Sequence, residues 1–153
     1  MSLYLVRHAK AGSRSDWPGD DRERPLSRAG QQQADGITLL LGHLPISQIY
    51  SSPYVRCVQT VEPLAKKLGL EVKITEALAE GDIFDEAVEL VEEAPKNAVL
   101  CSHGDVIPAV IDALLHRGLV IKGEPDWRKG ATWVLDRKKG DWAKARAVPP
   151  PAT

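Results

Sequence analysis

The sequence predicts an α/β protein: a three-layer α/β/α sandwich around a mostly parallel sheet, with a hairpin at one edge near the C-terminus. Three observations predict it. Short apolar runs of strand length alternate with longer stretches of helical period, the pattern of parallel strands joined by crossover helices. Three of the periodic stretches stop at a glycine, Gly42, Gly69 or Gly118, where a helix end is expected. Late in the chain "GATWVLDRKKGDWAKARAV" loses the helical period and reads as two strands around "RKKGD".

Taken in order, strands are expected near Ser2–Val6, Ile46–Tyr50, Glu71–Ile74 and Ala98–Cys101. Between the first two, Ser27 is a candidate N-cap, and Ala29, Ala34, Ile37, Leu40 and Leu41 follow on one helical face. A second helix runs from Tyr54 to Leu68 with Val58, Val61, Leu64, Ala65 and Leu68 inward, and Pro63 is expected to kink or divide it. A third spans Phe84–Glu93. The fourth covers Val106–Arg117, with Pro108 near its start.

The 153 residues fit one domain, read as 1–148, with "PPPAT" at 149–153 as a disordered tail. Twenty basic and 21 acidic side chains leave a net charge of −1. No global field therefore attracts nucleic acid or an anionic membrane, and any affinity for phosphate has to be local. No apolar stretch approaches the roughly 20 residues that span a bilayer, so a cytoplasmic protein is expected. Cys57 and Cys101 match no metal or disulfide spacing and read as reduced core thiols, Cys101 being the one placed near the site below.

In open parallel sheets, ligands bind beyond the carboxyl ends of the strands. The first strand ends at Arg7-His8, the second runs through "SSPYVR" to Arg56, and the fourth ends at "CSHGD" with His103. Two arginines and two histidines thus reach one edge of the sheet. Guanidiniums facing one pocket repel unless an anion lies between them, and their planar fork matches phosphate oxygens. A neutral imidazole is a good nucleophile toward phosphorus, so one histidine would attack while the other stabilises the developing oxygens.

"LVRHA", "YSSPYVRCVQT" and "CSHG", in this order, resemble the histidine phosphatase superfamily of phosphoglycerate mutase-like proteins. Ala9, the short length and "RPLSRAG" at 24–30 look most like the SixA-type phosphohistidine phosphatases. The resemblance runs from Leu3 to Val148 and implies His8 as nucleophile, with Arg7, Arg56 and His103 binding the phosphoryl group and no metal or organic cofactor. The Gly104 backbone N–H would add a donor. "GDDRERPLSRAG", "SSPYVRCVQTVEPLA" and "RKGATWVL" also resemble the phosphatase domain of Nudix-fused, nucleotide-sanitising hydrolases, although no Nudix half is read in these residues.

Glu80 stands where many superfamily members place the acid that protonates the leaving group, and competes with a solvated-loop reading. Asp105 is expected to cap the following helix, and Asp82 fits either role. Lys10 extends the basic edge toward substrate, as Arg128 and Lys129 would. "DDRER" at 20–24 reads as a solvated loop or rim, His43 and His116 as structural, and Trp127, Trp133 and Trp142 as core; Trp17 could cover a substrate. The expected function is a phosphatase acting on phosphohistidine in proteins. The alternatives are a small nucleotide or sugar phosphate as substrate, or a module that only binds phospho-ligands.

Overall fold

The computed structural model describes residues 1–153. Seven strands form one sheet: β1 (Ser2–Arg7), β2 (Gln48–Ser51), β3 (Val72–Ile74), β4 (Ala98–Ser102), β5 (Val120–Ile121), β6 (Thr132–Lys138) and β7 (Asp141–Val148). Their order is β3-β2-β4-β1-β6-β7-β5. β1, β2, β3 and β4 pair in parallel, β6 and β7 join antiparallel beyond β1, and β5 lies parallel to β7. The four helices are α1 (Arg28–Leu41), α2 (Val55–Leu68), α3 (Asp85–Glu93) and α4 (Val106–Leu115).

Alternation along β1 sets the layers, because successive side chains of a strand point to opposite faces. Leu3 and Leu5 pack with Val91, Ile107 and Ile111 of α3 and α4, while Tyr4 and Val6 pack with Ile37, Val61 and Leu64 of α1 and α2. Both faces are buried, so β1 reads as a continuous apolar run. At about 1.5–3 kcal/mol for each large apolar side chain taken from water, these two layers hold the strand ends in place.

The expected caps are present at the first two helices. Ser27 Oγ accepts the Gly30 N–H at 3.1 Å, and α2 ends on Gly69 in the left-handed conformation with φ 67°. Pro63 does not divide α2: it lies on the half-buried outer side, where water can solvate the carbonyl whose donor it removes. Pro108 sits in the first turn of α4, where no N–H is needed, and that helix stops at Leu115, two residues short of the expected end.

The hairpin turns on Lys139 and Gly140, both at positive φ (53° and 84°), the geometry that suits the twist of two-residue hairpins. The two-residue β5 outside it carries too short a pattern to be read from sequence. Of the three tryptophans expected in the core, Trp133 and Trp142 are buried, but Trp127 is 39% exposed and leans its ring on Trp133 at 4.8 Å between centroids. Residues 149–153 have no regular structure, as their prolines dictate, yet Pro151 lies against α1 at Gly36. No helix is long and apolar enough to cross a membrane.

Candidate active site

The carboxyl edge of the sheet opens into a cavity of about 430 Å³ lined by Arg7, His8, Arg56, Glu80, His103 and Gly104, with Arg14, Arg24, Asp105 and Lys129 around them. Parallel pairing brings the strand ends level: Arg7 lies opposite Ser102 and Ser51 opposite Cys101. His8 and His103 each follow one of these positions, and their rings meet edge to face at 5.4 Å between centroids. The four residues drawn from three strand ends are therefore together.

His8 is buried, and its Nδ1 lies 2.8 Å from the Ala9 carbonyl. Only a protonated Nδ1 can make that bond, so the Nε2 lone pair is left free in the neutral ring. Burial pushes this imidazole down to about 3, against the pull of the Ala9 carbonyl and with the help of Arg56, Arg7 and Lys129. At neutral pH the ring is uncharged, the form a nucleophile requires. His103 is also driven down, to about 2, by burial first and then by His8 and Arg56. Its Nε2 is 2.8 Å from Ser52 Oγ, which accepts the Tyr54 N–H at 3.3 Å.

Arg7 donates to the Trp127 carbonyl at 2.6 Å, while its buried Nε has no partner. Burial lowers its affinity for a proton, against Asp105 and Glu80, which raise it. A Cβ on Gly104 would stand 2.7 Å from Arg7 Cζ, so the guanidinium reaches its place only over a glycine. The Gly104 N–H meets no protein acceptor. Arg56 is 1% exposed; it donates to the Asp21 carbonyl at 2.8 Å, to Asp21 Oδ2 at 3.1 Å and to Glu80 Oε1 at 2.9 Å. Its Nε also lacks a partner.

Several expectations change at this edge. "DDRER" is not merely a rim: Arg24 is buried, donates to Asp21 Oδ1 at 2.9 Å and to the Gly12 carbonyl, and lines the cavity. Against the upward effect of partial burial, Arg24, Arg56 and Arg14 hold the Asp21 carboxyl below its ordinary range. Asp105 occupies the cap position of α4 but makes no capping bond, because its Oδ2 accepts the Gly81 N–H at 3.2 Å and fixes the loop that carries Glu80. Cys57, rather than Cys101, touches the site, with Sγ 3.5 Å from His103 Nε2. Both thiols are free and buried.

Lys10 lines an adjoining cavity instead of this one, and Trp17, which donates to the Asp20 carbonyl at 2.8 Å, lines neither; Asp82 is exposed outside both. Thr60 closes the motif "YSSPYVRCVQT" without a role read from it; its Oγ1 accepts the Ala9 N–H at 2.9 Å and donates to the Arg56 carbonyl at 2.7 Å. That hydroxyl ties the loop after His8 to the helix carrying Arg56. Its signal was a lone Thr one turn after Arg56, on the inward side of an amphipathic helix. No cluster of three or more His, Cys, Asp or Glu side chains is arranged to hold a metal ion.

Fold and site together define a class: an α/β protein that gathers a neutral histidine and two arginines at the carboxyl edge of its sheet. The chain belongs to the histidine phosphatase superfamily (branch 1), whose pattern matches residues 3–85. It is 37% identical over 98% of its length to an 8-oxo-(d)GTP phosphatase of Mycolicibacterium smegmatis, of which it spans 48%. The chain thus covers about half of that relative. A structure assigned to phosphohistidine phosphatase SixA from Nakamurella multipartitia is 27% identical with a TM-score of 0.72, covering 99% of this chain and 96% of the other. The protein histidine phosphatase SixA complexed with tungstate shares the fold at 20% identity, TM-score 0.72, over 99% and 97% of the two chains.

Proposed function

We propose that this protein is a phosphatase that works through a phosphohistidine on His8 and acts on small phosphorylated metabolites, nucleotides foremost. The observation that carries the reading is the Nδ1 contact of His8 with the Ala9 carbonyl at 2.8 Å, which leaves Nε2 as the attacking atom. His8 Nε2 forms a bond to phosphorus while the bond from phosphorus to the leaving oxygen breaks. Arg7, Arg56 and the Gly104 N–H hold the phosphoryl oxygens, and His103 donates to one of them. Glu80, displaced from Arg56 by the arriving anion, takes the proton carried by the phosphate monoanion and passes it to the leaving oxygen. Water then attacks the phosphohistidine and passes a proton to Glu80, the P–N bond breaks to restore His8, and Glu80 hands that proton to the departing phosphate, returning to the carboxylate that pairs with Arg56.

Two observations favour an oxygen leaving group on a small molecule over a histidine nitrogen on a protein, the first through the leaving group and the second through the molecule. Glu80 stands inside the cavity beside Arg56, and a poor oxygen leaving group needs such an acid where a nitrogen does not. The relative aligned over nearly the whole chain is named for a nucleotide. A phosphohistidine on a protein is the second reading, favoured by the 27% identical SixA structure. The direct test is an alkaline detergent quench during steady-state turnover of radiolabelled nucleotide and phosphohistidine peptide. The expected result is an acid-labile, base-stable label on His8 that persists after exhaustive chelation of divalent metal; turnover with no such label at any quench time would overturn the mechanism.

A further inference from the structure

A second cavity of about 730 Å³ opens beside the first and shares Arg7, Ala11 and Lys129 with it. Its remaining walls come from Lys10 after β1, Ser27 and Gln33 at the start of α1, Arg128, and the tail from Pro150 to Thr153. The tail is held there because Gly36 has no side chain: a Cβ on it would stand 2.4 Å from Pro151 Cβ.

The two cavities differ in how their cations are balanced. In the first, Asp21 and Glu80 pair with Arg14, Arg24 and Arg56. In the second no acidic side chain lines the wall, and neither Lys10, Lys129 nor the shared Arg7 takes part in any ion pair. Burial, and then Arg7, Arg24, Arg56 and Arg14, lower the proton affinity of Lys129, as expected where positive charge collects without a counterion. Arg128 is held at the rim by Asp126 at 2.6 Å. Cations gathered around an open space with no acidic side chain among them favour an anion that enters it.

We infer that this tail-walled cavity is a second anion subsite, which takes a further phosphoryl group of a substrate whose scissile group lies over His8. The preferred substrates then carry two or more phosphoryl groups, as in a nucleoside diphosphate or a sugar bisphosphate. The inference rests on the proposed action at His8 and adds the location and chemistry of the substrate's far end. Lys129, common to both cavities, spans the two groups, and Lys10 and Arg128 select for the second.

The test is the ratio of kcat/KM for a two-phosphoryl substrate to that for p-nitrophenyl phosphate, measured with ADP and with fructose 1,6-bisphosphate. It is run on the intact chain, on Lys10→Met and on a chain shortened by residues 150–153. The intact chain is expected to favour at least one two-phosphoryl substrate about tenfold, and the ratio to fall about tenfold in Lys10→Met, through KM. The two substrates separate an anhydride-linked phosphate from a distant one. An unchanged ratio in both variants, each checked for unaltered thermal unfolding, overturns the subsite. Turnover that survives His8→Ala would instead overturn the reading beneath it, so the two failures are distinct.

Discussion

Two buried arginines lie at opposite ends of the central strands and are satisfied in different ways. Arg137, on β6 near the start of β1, donates to the carbonyls of Glu92 and Ala94 at 2.8 and 2.7 Å and stacks over Trp142 at 4.9 Å. Those partners are the backbone end of α3 and a core ring, which cannot leave. Arg56, at the other end, is held largely by Asp21 and Glu80, carboxylates that are 31% and 29% exposed. Such partners can move into water when a better anion arrives. Burial alone therefore does not mark a functional arginine; exchangeable partners do.

The largest test of this contrast is His8→Ala, which removes the proposed nucleophile at the exchangeable end. Turnover is expected to fall by at least roughly four orders of magnitude, with the fold retained because the ring packs mainly against groups of the site. Normal turnover would remove His8 from the mechanism. Next comes the pair itself. Arg56→Met is expected to lower kcat/KM about 10²–10³-fold and to cost little stability, since Asp21 and Glu80 can be solvated. Arg137→Met should leave activity within about twofold and lower stability by about 1–3 kcal/mol, because two carbonyls lose their donor. Denaturant unfolding and steady-state kinetics on both variants decide it, and a reversed pattern would sink the comparison.

The fixed end and its architecture were legible because the signals are local: Ser27 before a helical stripe, Gly69 after one, apolar runs at strand length. The four residues at the carboxyl edge were legible through a rule of topology, since Arg7, His8, Arg56 and His103 each sit at or just past a strand end. The exchangeable partners were not. Asp21 and Arg24 lie in a charged loop whose sequence is that of a solvated segment, and only the fold brings Asp21 to Arg56 across 35 positions. Asp105 carried a sound capping signal that a long-range bond to Gly81 outcompeted. Tautomers are likewise invisible in sequence, because the Ala9 carbonyl that sets the His8 proton is a property of backbone conformation.

Glu80 sharpens the contrast further, as an exchangeable partner with a second task. If it protonates an oxygen leaving group, Glu80→Gln should lower kcat/KM on a phosphate monoester about 10²-fold and leave phosphohistidine peptide nearly untouched, because solvent can protonate that nitrogen. Equal losses on both would show that Glu80 acts through Arg56 or the fold. Negligible loss on both would leave it only a counterion.

The smallest effect is on stability against pH, and its sign follows from the two histidines. In the folded chain burial holds His8 near 3 and His103 near 2, whereas in the unfolded chain each takes a proton near 6.5. Below that value the unfolded state binds more protons than the folded one, so stability falls as pH falls, from about 6.5 down to the folded values. Between pH 7 and pH 6 the two together amount to about 1 kcal/mol, and His8→Ala should remove about half of it. Arg7, Arg56 and Lys129 crowd the same space, so an oxyanion such as tungstate should neutralise them, let the imidazoles accept protons in the folded state, and flatten the slope. Unfolding free energy measured at pH 6, 6.5 and 7, with and without tungstate, checks both points. A slope that tungstate leaves unchanged would mean that the acid sensitivity arises away from the carboxyl edge.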